Sequence, residues 1–160
     1  MKNVILVSDV SRAFFEAPAV RKIAVTLPQE ALEDHEQGMG MVGILQMSLY
    51  GTRDAAVNFQ REVTKLMIGL GFSQAKYNAS LFYHPRTEVS VMVHGDDFVA
   101  TGKRKHISDF RKSIAGRFTV KDKVVGSGRA GGELGEVRVL NRILRWASSG
   151  WEYEADQRHA

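Results

Sequence analysis

The stretch Val89-Ser90-Val91-Met92-Val93-His94-Gly95-Asp96-Asp97-Phe98-Val99-Ala100 constrains the fold more than any other part of the chain. Two short apolar runs flank a Gly-Asp pair, which is the chemistry of a β-hairpin with a tight turn. Both runs need burial in a sheet, and folding them together gathers Asp96 and Asp97 at the tip, where like charges repel. An isolated Gly-Asp-Asp is ordinary turn chemistry. A functional reading adds a cation to hold the carboxylates together, and hard oxygen ligands favour Mg²⁺ or Mn²⁺.

The rest of the chain supplies partners for that hairpin. Val4-Ile5-Leu6-Val7 reads as a buried strand ending at Ser8-Asp9, and Ile23-Ala24-Val25-Thr26-Leu27 as another before Pro28. Residues 42–49 are extended and apolar. Val57, Phe59, Val63, Leu66, Met67 and Leu70 recur at spacings of three and four, which predicts an amphipathic helix over 54–70 stopped by Gly71. Ser80-Leu81-Phe82-Tyr83 adds a strand before a His84-Pro85-Arg86-Thr87 turn. Ile107, Phe110, Ile114 and Phe118 predict a second, basic-faced helix over 103–117. The glycine-rich residues 126–136 read as a flexible connector, and 137–160 as a closing hairpin and the start of a further segment. This order, without strict βαβ alternation, implies an α+β fold with an antiparallel sheet and helices packed on one face.

With 160 residues, 44% of them hydrophobic, the chain can bury a core, and without cysteine it has no disulfide, thiolate metal site or Cys nucleophile. No apolar run approaches the roughly 18 residues of a membrane span. The N-terminus turns polar at Ser8-Asp9, too early for a signal peptide, so no membrane partner and an intracellular location are expected. Residues 1–100 carry 9 Lys+Arg against 11 Asp+Glu, a balance of −2, whereas 101–160 carry 13 against 7, a balance of +6. A basic half suits a polyanion such as nucleic acid, although surplus Lys and Arg also simply solvate a surface.

Asp9 is a third carboxylate at the end of an apolar strand. Three carboxylates are the minimum set for two metal ions in phosphoryl transfer. Asp9-Val10-Ser11-Arg12-Ala13-Phe14-Phe15, Ser48-Leu49-Tyr50-Gly51-Thr52-Arg53-Asp54-Ala55-Ala56, Gly69-Leu70-Gly71-Phe72 leading to Asn78-Ala79-Ser80-Leu81-Phe82-Tyr83, His94-Gly95-Asp96-Asp97 and Thr101-Gly102 follow one another in a telling order. In order and spacing the chain resembles a copia-type LTR retrotransposon reverse transcriptase over residues 4–145. The resemblance implies a polymerase-palm-like fold, with the palm over 1–125.

By that resemblance Asp9, Asp96 and Asp97 are catalytic metal ligands for Mg²⁺ or Mn²⁺, and Val10 adds a backbone contact to metal or triphosphate. Phe14 falls where the family places an aromatic ring under the sugar, selecting deoxynucleotides; from residue type alone a core phenylalanine on the strand-to-helix turn is the favoured reading. Residues 48–56, with Arg53 and Asp54, match the segment that packs on template and incoming nucleotide. Lys103, Arg104 and Lys105 are candidates for phosphate contacts or for a solvated helix face. The implied partners are an RNA template, a DNA primer, deoxynucleoside triphosphates and the remainder of a Pol polyprotein, in cytoplasm, virus-like particle or nucleus.

The chain departs from the family pattern at two places. His94-Gly95 stands where Tyr-Val is usual, and Arg53-Asp54-Ala55-Ala56 where Lys-Gln-Ala-Pro is usual. Gly-Asp-Asp is also similar to viral RNA-dependent RNA polymerases, but Leu49-Tyr50-Gly51 and the spacing favour the retrotransposon. Upstream fingers and RNase H, integrase or protease segments are not recognised, so the chain reads as a piece of a larger polyprotein with little activity alone. The alternative is a non-catalytic relic that keeps a nucleic-acid-binding fold. His35, His84, His106 and His159 lack metal-ligand spacing, and His94 reads as a turn residue. The glycine-rich stretch lacks the Lys-Ser/Thr of a phosphate loop. Trp146, Trp151 and Tyr153 suit cross-strand packing better than base stacking.

Overall fold

The computed structural model describes residues 3–127 and 133–155. Residues 128–132 of the glycine-rich stretch and the final residues 156–160, including His159, lie outside that description. The chain divides into two compact units: one holds the first 11 residues with everything from Thr64 onward, and the other holds Arg12–Val63.

The larger unit is built on a seven-stranded sheet. Its strands are β1 (Asn3–Val10), β4 (Ser73–Gln74), β5 (Leu81–His84), β6 (Val89–His94), β7 (Asp97–Lys103), β8 (Val120–Val125) and β9 (Glu133–Leu134), in the spatial order β4-β5-β6-β7-β1-β8-β9. Every pairing is antiparallel except β8 with β9. Glu133 and Leu134, within the stretch expected to be a flexible connector, are thus paired in the sheet.

Side-chain alternation gives the sheet two different faces. Val4, Leu6 and Val10 of β1, Phe98 and Ala100 of β7, and Val89, Val91 and Val93 of β6 are fully buried on one of them. Helix α2 (Arg104–Ala115) lies against β1 and β7, burying Ile107, Phe110 and Ile114 as its periodicity predicts. On the other face a three-stranded sheet of β10 (Glu136–Val139), β11 (Arg142–Ala147) and β12 (Gly150–Tyr153) packs Val137, Val139, Leu144 and Trp151 against Val7, Val99 and Val125. Trp146 and Trp151 are cross-strand partners with centroids 5.0 Å apart, edge to face, the packing expected of them.

Helix α1 (Ala55–Gly69) spans the boundary between the units. Phe59, Val63 and Met67 form its buried stripe, whereas Val57, assigned to the same apolar set by spacing, is half exposed. The helix ends in a Schellman motif: the Phe72 N–H donates to the Met67 carbonyl and the Gly71 N–H to that of Ile68. Gly71 takes φ +87°, a conformation that glycine adopts without strain. In the smaller unit β2 (Ala24–Thr26) and β3 (Val42–Ile44) form a short hairpin, so the strand expected over 42–49 is limited to its first three residues. Among the described residues no helix is long and apolar enough to cross a membrane.

Candidate active site

The β6–β7 hairpin turns on Gly95 and Asp96, with His94 and Asp97 paired across its base. Gly95 has φ +61° while Asp96 does not enter the positive region, the pattern of a two-residue turn with glycine first. The hairpin therefore fixes Asp97 as the first residue of β7 and leaves Asp96 on the turn.

β1 brings the third carboxylate. Asp9 is the direct partner of Asp97 in the β1–β7 ladder. Directly opposed residues on one sheet face have Cβ atoms about 5 Å apart, so the two carboxylates confront each other. A hydrogen bond of 2.9 Å from the Val10 N–H to the Asp96 carbonyl fastens the turn to the end of β1. The backbone contact expected of Val10 is thereby restricted to its carbonyl, because its amide is committed and its side chain lies in the core. Burial, reinforced by the charges of Asp96 and Asp9, raises the Asp97 carboxyl above its ordinary range, with His94 acting in the opposite direction.

The same row continues on both sides. Lys121 of β8 pairs with Asp9, so Lys121, Asp9, Asp97 and His94 stand side by side across four neighbouring strands. Asp9, Asp97, Lys121, Asp122, Lys123 and Arg138 all line a cavity of about 370 Å³, floored by Val7 and Val137. Lys121, Lys123 and Arg138 were missed by sequence reasoning. The signal was the alternation Val120-Lys121-Asp122-Lys123-Val124, which puts both lysines on one strand face.

Two facing carboxylates, with Asp97 held above its ordinary range, suit a hard divalent cation. Mg²⁺ commonly takes only one or two protein carboxylates and completes its octahedron with water and substrate phosphate. Among the described residues no three His, Cys, Asp or Glu side chains form a ready metal cluster. Asp9 and Asp97 could therefore hold such an ion, with Asp96 beside them on the turn.

The remaining expected site residues fall elsewhere. Phe14 is in the smaller unit, its ring 4.5 Å from Tyr50 and 6.5 Å from Phe59. Arg53 is exposed. Asp54 receives two hydrogen bonds from the Arg21 guanidinium, at 3.1 and 3.2 Å, which lower its carboxyl below the ordinary range. The acid standing where the family has an amide is thus neutralised within its own unit. Lys103 sits at the opposite end of β7 from Asp97, six residues or about 20 Å away, and pairs with Glu88 at 2.9 Å. Arg104 pairs with Glu133, and Lys105 is exposed on the first turn of α2. The expected phosphate-binding trio is therefore remote from the carboxylates, and two of its members already have acidic partners.

Residues 2–135 match the family described as reverse transcriptase (RNA-dependent DNA polymerase). No curated protein matches the chain. Among solved structures, apo telomerase from Candida tropicalis truncated from its C-terminal domain aligns with a TM-score of 0.54 at 10% identity, covering 96% of this chain and 36% of that one. Telomerase from Candida albicans, solved with a TWJ fragment of telomeric RNA, aligns at 0.48 and 10% identity over 91% and 29%. The chain spans about a third of the length of the first of these, and that likeness bears on the fold: an α+β, polymerase-palm-like sheet, as expected. The chain belongs to the reverse transcriptase (RNA-dependent DNA polymerase) family.

Proposed function

We propose that this member of the family is the palm portion of a copia-type retrotransposon reverse transcriptase, joining a primer 3′-hydroxyl to the α-phosphorus of a deoxynucleoside triphosphate with release of pyrophosphate. The observation that carries the reading is the direct pairing of Asp9 with Asp97 beside the Gly95-Asp96 turn. It supports a divalent-ion site for Mg²⁺ or Mn²⁺ held by Asp9 and Asp97, with Asp96 alongside. Such ions, when bound, lower the pKa of the attacking hydroxyl and neutralise the leaving oxygen. The chain's own part is to hold two carboxylates rigidly on adjacent strands and to lock the third, through the Val10 amide, to the end of β1. Phe14, ringed by Tyr50 and Phe59, is proposed to screen the sugar of the incoming nucleotide.

Primer extension on an RNA template tests this, using the chain alone and the chain extended to the length of a full family polymerase. Synthesis should require Mg²⁺ or Mn²⁺ and be lost in Asp96→Asn and Asp9→Asn. Undiminished synthesis in those variants would overturn the metal assignment. Absence of metal-dependent synthesis by the extended parent chain would favour the non-catalytic relic.

A further inference from the structure

The row that gathers the carboxylates has a further member. His94 closes β6 and is the direct cross-strand partner of Asp97, itself the direct partner of Asp9. Strand alternation places all three on one face: His94 follows buried Val93, Asp97 precedes buried Phe98, and Asp9 lies between buried Ser8 and Val10. Directly opposed residues have Cβ atoms about 5 Å apart, so one ion can lie between the His94 imidazole and the Asp97 carboxylate. The two side chains already sense each other, because His94 opposes the rise of the Asp97 carboxyl.

His84, at the end of the neighbouring strand β5, shows what a structural histidine looks like in this sheet. It is buried, its Nδ1 accepts hydrogen bonds from the Arg86 and Thr87 amides at 3.2 and 3.4 Å, and its ring stands edge-on to Phe72. His94 is exposed, and among the described residues no hydrogen bond, ion pair or ring contact engages it. Its ring nitrogens are therefore available to an ion at Asp97. Among the described residues no three ligating side chains already converge, so His94 must turn onto the ion, a rotamer change that an exposed side chain makes in picoseconds to nanoseconds.

An imidazole changes what such a site prefers. Mg²⁺ is held by oxygen in a near-ideal octahedron, whereas imidazole nitrogen suits transition metals, for which affinity at a nitrogen–oxygen site rises from Mn²⁺ through Co²⁺ to Ni²⁺. We propose, resting on the divalent-ion reading of Asp9 and Asp97 given above, that His94 selects the ion: with the two carboxylates it makes a mixed nitrogen–oxygen site that takes Mn²⁺, and more tightly Co²⁺, ahead of Mg²⁺. Ion selection of this kind is measurable without catalysis.

The test uses the full chain without nucleotide or primer. Mn²⁺ binding is read from the loss of the free-ion signal in electron paramagnetic resonance, and Mg²⁺ and Co²⁺ binding by competition against it. His94→Tyr, whose phenol stays protonated near neutral pH, and His94→Phe should each weaken Mn²⁺ binding by about tenfold, the low end of the loss that removing even an outer-shell partner causes. Co²⁺ should lose more, and Mg²⁺ should be nearly unchanged. Pulsed measurements on the bound Mn²⁺ should show modulation from an imidazole nitrogen in the parent and none in either variant. An unchanged preference for Mn²⁺ over Mg²⁺ in both variants, or absence of nitrogen modulation in the parent, would overturn the assignment to His94 and leave the carboxylate site standing. Asp9→Asn should weaken all three ions; if it binds them as the parent does, the divalent-ion site itself fails, and the selection by His94 with it.

Discussion

Asp9 and Asp97 face each other directly across the β1–β7 ladder, a like-charge pair held in register by the surrounding ladder and by the hydrogen bond from the Val10 N–H to the Asp96 carbonyl. The folded chain raises the Asp97 carboxyl through burial and through its acidic neighbours. A carboxyl of raised pKa contributes stability that is complete below the unfolded-state value and is lost as pH rises through the folded-state value. Asp97→Asn should therefore match the parent at acid pH and exceed it above the Asp97 titration. Relief of one like-charge pair is worth about 0.5 kcal/mol, or about 1–2 °C in a melting series across pH without divalent ions.

Gly95 is required for its conformation. At φ +61° with open space around the position a Cβ would occupy, replacement meets backbone strain and no clash. Gly95→Ala should lower stability by about 1 kcal/mol in chemical denaturation, and Gly95→Asn by less, because asparagine tolerates the left-handed region. The family's usual valine at this position would be the worst tolerated of the three on this backbone, since a β-branched residue enters that region at greater expense.

Much of this geometry was legible in the sequence where periodicity and apolar content agree. Phe59, Val63 and Met67 at helical spacing, and Val89, Val91 and Val93 at strand spacing, each marked a buried stripe that the structure contains. The strand β8 was not assigned from the sequence: the alternation Val120-Lys121-Asp122-Lys123-Val124 is there, but its apolar content is low and the partner of Asp122, Arg111, comes from α2. Glu133 was hidden for a similar reason: an acid in a glycine-rich stretch reads as solvent-exposed, whereas its partner Arg104 lies at the start of α2. Charge counting located the basic half but not its faces. Lys103 and Lys121 contribute equally to that count, yet the sheet register puts one at the far end of β7 and the other beside Asp9.

The Arg111–Asp122 pair ties α2 to β8 through a two-pronged contact, with Asp122 mostly buried and Arg111 half exposed. Asp122 also holds the Arg111 guanidinium more firmly protonated. Asp122→Ala should destabilise the chain by about 1–2 kcal/mol, more than an exposed ion pair, because a charge-assisted bidentate contact is lost. Hydrogen exchange should localise the change: amides of β8 exchange faster while those of β6 do not. Arg111→Lys should recover only part of the loss, since an ammonium cannot reproduce the planar fork.

Divalent ions should stabilise the folded chain through the same Asp9–Asp97 pair whose repulsion weakens it in their absence. An ion that binds only the folded state adds about 1.4 kcal/mol at ten times its dissociation constant, a rise of about 3–5 °C in melting temperature for a chain of this size. Mn²⁺ and Mg²⁺ should both produce the rise in the parent, and Asp9→Asn and Asp97→Asn should each abolish most of it. Ca²⁺ is the informative control, because its longer bonds and higher coordination number demand more ligands than two carboxylates on adjacent strands supply. An equal rise in Asp9→Asn would mean that the ions bind elsewhere on the chain, and the opposed carboxylates would then be a cross-strand repulsion that the sheet tolerates without a cation.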